Sequence, residues 1–198
     1  MVIKLDYAPG QTPIDPDEMN GLIPKHITTQ AELNEYEQAN ILAGQRWAFG
    51  PRQRGKELLN EGFVRTLHSR MFDKTWRWAG TFRSTDKSIG IDWTQVSVKL
   101  RQLLDNTRYQ ITDRTFEADE IAVRFHHSLV LIHPFPNGNG RHARMMADVL
   151  IKSLGAERFS WGANADLGSD GETRRRYIHA LRAADAGQFE DLFKLARS

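Results

Sequence analysis

The sequence contains no cysteine. That excludes a disulfide framework, a thiol nucleophile and any cysteine-ligated metal site. No apolar run reaches the roughly 18 residues a membrane-spanning helix needs, and the opening stretch MVIKLDYAPG lacks the apolar centre of a secretory signal. Internal repeats and low-complexity tracts are missing too. Charge of one sign is barely in excess, 27 Lys and Arg against 25 Asp and Glu, so nothing marks a nucleic-acid-binding surface. These absences lead us to expect a cytoplasmic protein with neither a membrane nor a nucleic-acid partner. An effector delivered without a cleavable leader would have the same composition.

What is present is ordinary globular composition: 198 residues, 40% hydrophobic and 26% charged, enough for one domain with a substantial core. Residues 1–27, rich in Pro, Gly and Asp, read as an irregular arm. Residues 28–198 read as a single domain. Thr29 followed by Glu32 is a capping box, so a helix should begin near Gln30 and run to FGPR. A second helix fits 53–72, where Leu58, Leu59, Phe63, Val64, Leu67 and Met71 recur at helical spacing. The stretch TWRWAGTFRSTDKSIGIDW breaks that period and fits a short hairpin or an extended loop. Helical patterning returns over 94–109, 117–132, 139–154, 172–184 and 187–197. The fold class is therefore mainly α with one small β element.

HPFPNGNGR, residues 133–141, separates two of these helices. Its small residues free the first N–H groups of the second helix, which have no intrahelical partner and carry the positive end of the macrodipole. Arg141 and Arg144 lie three apart on that helix, and guanidinium forks suit phosphate oxygens. Gly138, Asn139, Gly140, Arg141 and Arg144 thus read as a cradle for phosphate groups. Pro134 removes a backbone donor and should hold His133 extended, stopping the first helix and aiming the imidazole at the anion. Histidine is the usual general base near neutral pH. A base beside a polyphosphate cradle points to phosphoryl or nucleotidyl transfer, though no Walker pattern occurs. The plain alternative is an interhelical turn with a capping asparagine and two solvated arginines.

At these residues the chain resembles the Fic family, whose motif H-x-F-x-D/E-G-N-G-R-x-x-R is met by HPFPNGNGRHAR. WAGTFRSTDKSIGI is similar to the family's WAG segment and the flap after it, and about residues 30–155 resemble a Fic core. ELNEYEQANI and the short length resemble the small Fic proteins labelled "mobile mystery protein B". The resemblance implies a Fic-type helical bundle with a small β-hairpin flap. It implies transfer of AMP from ATP, with Mg²⁺, to a Ser, Thr or Tyr hydroxyl of a target protein, releasing pyrophosphate. His133 would deprotonate the hydroxyl. The Gly138–Gly140 amides and Asn139 would hold phosphates, Arg141 would neutralise the leaving group, and Arg144 would orient the γ-phosphate. Phe135 would fix the loop from within. The flap, Ser84, Thr85, Asp86, Lys87, Ser88 and Ile89, would pair with an extended target segment.

The chain departs from the family at Asn137, where the motif has a metal-binding acid. An amide oxygen contributes no charge to a hard cation, so magnesium binding should weaken. Many Fic proteins are held off by a glutamate in S/T-x-x-x-E-G/N that pairs with the second motif arginine, here Arg144. Without a perfect match, Glu37 is the candidate for that regulatory role. A small regulatory partner protein is also compatible. One of His126 and His127 reads as packing against the active-site helix, His142 as a surface residue, the run Arg174, Arg175, Arg176 as a solvated helix face, and Phe159 and Trp161 as packing residues, with a border for the adenine as the alternative. Other readings stay open: a catalytically weak or inactive Fic-fold interaction module, a transferase using another nucleotide donor, and a basic helical nucleic-acid binder.

Overall fold

A computed structural model of the chain describes residues 15–53, 57–162 and 171–198. Most of the expected arm, residues 1–14, lies outside them. The described residues form eight α-helices: α1 (Pro16–Met19), α2 (Gln30–Ala48), α3 (Glu61–Phe72), α4 (Val96–Asp113), α5 (Ala118–Ile132), α6 (Asn139–Ser153), α7 (Glu172–Asp185) and α8 (Glu190–Arg197). Among these residues none of the helices is long and apolar enough to cross a membrane.

The capping box does start α2: Thr29 Oγ1 accepts from the Glu32 N–H at 3.2 Å, and Glu32 Oε2 accepts from the Thr29 N–H at 3.1 Å. α3 begins eight residues later than its apolar spacing predicts. The Asn60 side chain caps it, accepting from the Phe63 N–H at 2.8 Å, and the Glu57 carboxylate takes the Leu59 N–H. Leu59 is still buried, but from the turn before the helix. Apolar spacing alone cannot separate a buried pre-helical turn from a helical one. α4 runs four residues past its expected end, to Arg114 in the left-handed region.

α5 and α6 pair at the centre of the bundle. α3 packs on α6, α2 on α3, and α4 on α5. α7 packs on α8, which rests on α5. The shared core includes Leu67, Met71, Phe72, Trp76, Leu100, Phe125, Leu129, Phe135, Met146 and Ile151. Burial of so many large side chains supplies the main drive for assembly, at about 25 cal/mol per Å² of apolar surface. Asn40 ties α2 to the end of α3, accepting from the Lys74 N–H at 2.9 Å and donating to the Arg70 carbonyl at 3.3 Å. That clasp fixes the face of α2 on which Glu37 sits, one turn away.

The expected β-hairpin is not formed. Residues 81–92 are bends and extended loop, and the described residues show one isolated bridge, Leu22 to Trp76. Side chains close this loop in place of a ladder. The Arg83 guanidinium takes the carbonyls of Thr85 and Ile91, and Asp86 accepts from the Trp93 N–H at 3.0 Å. The loop also leans on the described part of the arm. Lys87, its side chain 2% exposed, is ion-paired with Asp15 and with Glu18. The Trp78 indole donates to the Glu18 carbonyl at 3.1 Å.

Candidate active site

α5 ends at His133 and α6 begins at Asn139, and the motif loop spans the gap. His133 is not extended, as the following proline led us to expect. It adopts the left-handed conformation, φ 54° and ψ 60°, and its N–H closes the last turn of α5 on the Leu129 carbonyl. Pro134 disfavours the right-handed helical region for the residue before it, and a left-handed C-terminal cap satisfies that constraint while turning the chain sharply. The imidazole is buried, 6% exposed. Burial pushes it down to about 4; a bond to the Val130 carbonyl opposes the shift, and the charges of Arg83 and Lys87 add to it. His133 therefore sits neutral at physiological pH, the form a base requires.

The loop holds its own shape. The Asn139 side chain accepts from the Phe135 N–H at 2.9 Å and donates to the Phe135 carbonyl at 2.8 Å. Its amide is therefore used within the loop, which leaves its backbone N–H, at the first position of α6, without an intrahelical acceptor. The Gly138 N–H is similarly taken by Asn137 Oδ1 at 2.7 Å. Gly138 itself has φ +77°, and a Cβ there would meet the Phe72 ring at 2.6 Å, so no other residue fits. Phe135 is fully buried, stacked on the His68 ring at 3.7 Å between centroids and edge-on to His142 at 5.1 Å.

The N–H groups of Asn139, Gly140 and Arg141 open α6 and point out of its end. The two arginines flank that end rather than stacking above it. Arg141 leans to α2, where Nη1 meets Glu37 Oε2 at 2.6 Å; it also lies over the Phe72 ring at 5.0 Å and 3.5 Å from Asn137 Oδ1. Arg144 leans to α7, over the Tyr177 ring at 5.2 Å. A Cβ built on Gly140 would lie 3.8 Å from both Arg144 Nη1 and the Tyr177 hydroxyl, so both groups border the helix entrance. Glu37 thus pairs with the first motif arginine, not the second as the resemblance implied. Its other oxygen accepts from the buried Trp76 indole at 2.7 Å.

Reading the sequence missed four of the residues that build this site. His68 is fully buried and bridges two motifs: the Gly80 N–H donates to Nδ1 at 3.0 Å, so Nε2 carries the proton and donates to the Asn137 carbonyl at 3.0 Å. Trp76, Arg83 and Tyr177 are the others. The partners that tie them to the site, Glu37 for Trp76, the His133 carbonyl for Arg83 and His126 for Tyr177, lie far along the chain, although HSR on an apolar helix face and the WAG segment marked the right neighbourhood.

Other readings need correction. His142, expected at the surface, is wholly buried and meets the Val64 carbonyl at 3.0 Å. Apolar and buried polar positions on α6 share one face, and a histidine whose N–H finds a carbonyl is accommodated there. Arg174 is buried rather than solvated, whereas Arg175 and Arg176 are exposed. Phe159 and Trp161 are packing residues, with the Trp161 indole on Asp148 at 2.9 Å. His126 packs beside Tyr177, their Nε2 and hydroxyl 3.1 Å apart, and His127 meets Asp185 at 2.8 Å. Among the described residues no group of three or more His, Cys, Asp or Glu could hold a metal ion.

Residues 58–151 match the family model of the Fic/DOC family. The chain is 29% identical over 85 residues to the probable protein adenylyltransferase aq_aa38 of Aquifex aeolicus, covering 43% of this chain and 23% of that protein. It is 32% identical over 113 residues to protein adenylyltransferase fic-1 of Caenorhabditis briggsae, covering 55% of this chain and 20% of that one. The chain thus spans less than a quarter of the length of these curated relatives. The fold is similar to the BepC protein of Bartonella tribocorum, a VirB-translocated effector solved with bound AMPPNP. The TM-score is 0.68 at 18% identity, over 92% of this chain and 97% of that one. These matches bear on the family as a whole and not on a smaller subgroup within it. The match to the Fic/DOC family thus lies in residues 58–151, which contain the motif from His133 to Arg144.

Proposed function

We propose that the protein transfers AMP from ATP to a Ser, Thr or Tyr hydroxyl of a target protein; its curated relatives are named protein adenylyltransferases. The observation that carries this reading is a neutral, buried His133 placed one short loop before a helix N-terminus flanked by Arg141 and Arg144.

In this reading the triphosphate lies across the entrance of α6. The N–H groups of Asn139, Gly140 and Arg141 and the helix dipole hold its oxygens. His133 takes the proton of the target hydroxyl as that oxygen attacks the α-phosphorus. The bond to pyrophosphate breaks, and charge builds on the leaving oxygens, where Arg141 neutralises it. Arg144 holds the terminal phosphate from the α7 side. The loop Ser84 to Ile89 receives the target segment beside His133.

Mg²⁺ belongs to this reading as the companion of the triphosphate, whose charge it would screen. The residues present fit it only loosely. At the position where the family has an acid, Asn137 offers a neutral oxygen that already accepts the Gly138 N–H. Glu37 acts as the regulatory residue. Its ion pair withholds Arg141 from phosphate until the pair opens, and the Trp76 indole keeps the carboxylate aimed. A second reading, a catalytically weak Fic fold serving as an interaction module, is favoured by Asn137 alone. Incubation with ATP and Mg²⁺ followed by mass spectrometry separates the two. An AMP adduct made by the wild type and lost in His133→Ala supports transfer. Its absence under all nucleotide and metal conditions supports the module.

A further inference from the structure

We propose that Arg83 is a positioning residue for the transfer reaction, a pin that joins the target-docking loop and the backbone of His133 into one mechanical unit. This rests on the reading of His133 as the general base.

The Arg83 side chain is completely buried. Its Nε donates to the His133 carbonyl at 2.6 Å, and Nη2 reaches the Ile132 carbonyl at 3.4 Å. Nη1 donates to the Thr85 carbonyl at 2.9 Å, and Nη2 also donates to the Ile91 carbonyl. Its own backbone N–H donates to the Pro134 carbonyl at 3.0 Å. One planar group therefore ties the entry of the loop, the exit of the loop and the last two residues before Pro134. The Asp86 carboxylate is 3.6 Å away and 68% exposed, so solvent weakens that pairing and the carbonyls do most of the holding.

Only arginine suits this position. Four carbonyls around one guanidinium use its fixed fork of five donors, which a lysine ammonium cannot spread over the same arc. Every bond goes to backbone oxygen, so the contact sets chain path rather than side-chain charge. It also holds His133 in a conformation that residues other than glycine rarely adopt.

Gly90 closes the unit from above. It has φ +112°, and a Cβ there would lie 2.6 Å from the His133 Cβ and 3.1 Å from Arg83 Nη2. The returning arm of the loop thus rests directly on the base-bearing residue. A target segment that displaces the loop must shift His133 with it, so docking and alignment of the base are one event.

The test uses the full chain with Arg83→Lys. Hydrogen exchange followed by mass spectrometry reads the pin without any reaction. Exchange should rise together in 83–92 and 132–136, while α4 and α6 keep their wild-type protection. In AMP transfer, kcat should fall roughly 10- to 100-fold, as a displaced base would cause, with KM and directly titrated affinity for ATP unchanged within about twofold. Gly90→Ala pushes chiefly on His133, its methyl 2.6 Å from the His133 Cβ and 3.1 Å from Arg83 Nη2, while every Arg83 donor stays in the chain. It should give the same split between kcat and KM, and it serves where Arg83→Lys does not fold. Wild-type kcat in both variants overturns the proposal. So does loosening of the loop alone, with 132–136 still protected. An inactive wild type would sink the transferase reading, and the exchange measurement would still decide whether Arg83 is the pin.

Discussion

Replacing Glu37 with Gln should tighten ATP binding. The perturbation is small in shape. A glutamine oxygen can still accept from the Trp76 indole, which the carboxylate now meets at 2.7 Å, so no buried donor is orphaned. The charge that holds Arg141 at 2.6 Å is lost. Hydrogen bonds to charged groups contribute about 1.5–3 kcal/mol, and the Arg141 side chain, 31% exposed, argues for the lower end. Phosphate must displace this contact before Arg141 can serve it. Removing about 1.4 kcal/mol of competition is tenfold in affinity. Titration calorimetry with ATP and Mg²⁺ on wild type, Glu37→Gln, Arg141→Ala and the double variant measures it. About a tenfold gain is expected in the wild-type background and none when Arg141 is absent. Equal affinities for wild type and Glu37→Gln, or the same gain without Arg141, would refute the competition. Glu37→Gly should also raise auto-modification, but at a cost of about 1–3 kcal/mol in stability, because the buried indole then has no acceptor.

Three further outcomes are expected. Burial holds His133 down to about 4, His126 and His142 down to about 3, and His68 well below its ordinary value. The unfolded chain therefore binds more protons than the folded one below pH 6.5, and stability falls as the pH drops from there toward 4 and below. Thermal melts at pH 7.5, 5.5 and 4.5 should show progressive loss, and a flat Tm would contradict it. Asn137→Asp should raise activity at low Mg²⁺ by restoring a charged oxygen, and identical magnesium titrations for both forms would remove that idea. His68→Ala should lower stability by about 3 kcal/mol or more and weaken ATP binding, since it empties the ring stack and releases both the Asn137 carbonyl and the Gly80 N–H. Calorimetric melting and titration check both effects.

The helices were legible where apolar spacing and caps coincide, as at Thr29 and in the run from Ala118 to Ile132. The loop between α5 and α6 was legible because its chemistry is local: proline, glycine and asparagine act on their own backbone. Contacts between distant segments were not. The pairing of Glu37 with Arg141 joins residues 104 apart, and nothing in either segment distinguishes Arg141 from Arg144 as its partner. His142 looked like a surface residue because its carbonyl partner, on Val64, is a backbone group that any residue carries. A break in helical period fits a hairpin and an extended loop alike, and the choice falls to the loop where the buried Arg83 guanidinium takes the Thr85 and Ile91 carbonyls.

Phe135 carries one more implication. Its ring lies against His68 from α3, His142 from α6 and Phe82 from the segment before the docking loop. The nine residues around it are therefore not a portable cassette. Moved into another helical hairpin, they would keep the asparagine clasp but lose the aromatic socket that sets the depth of the loop. A productive graft would have to bring parts of three other segments with it.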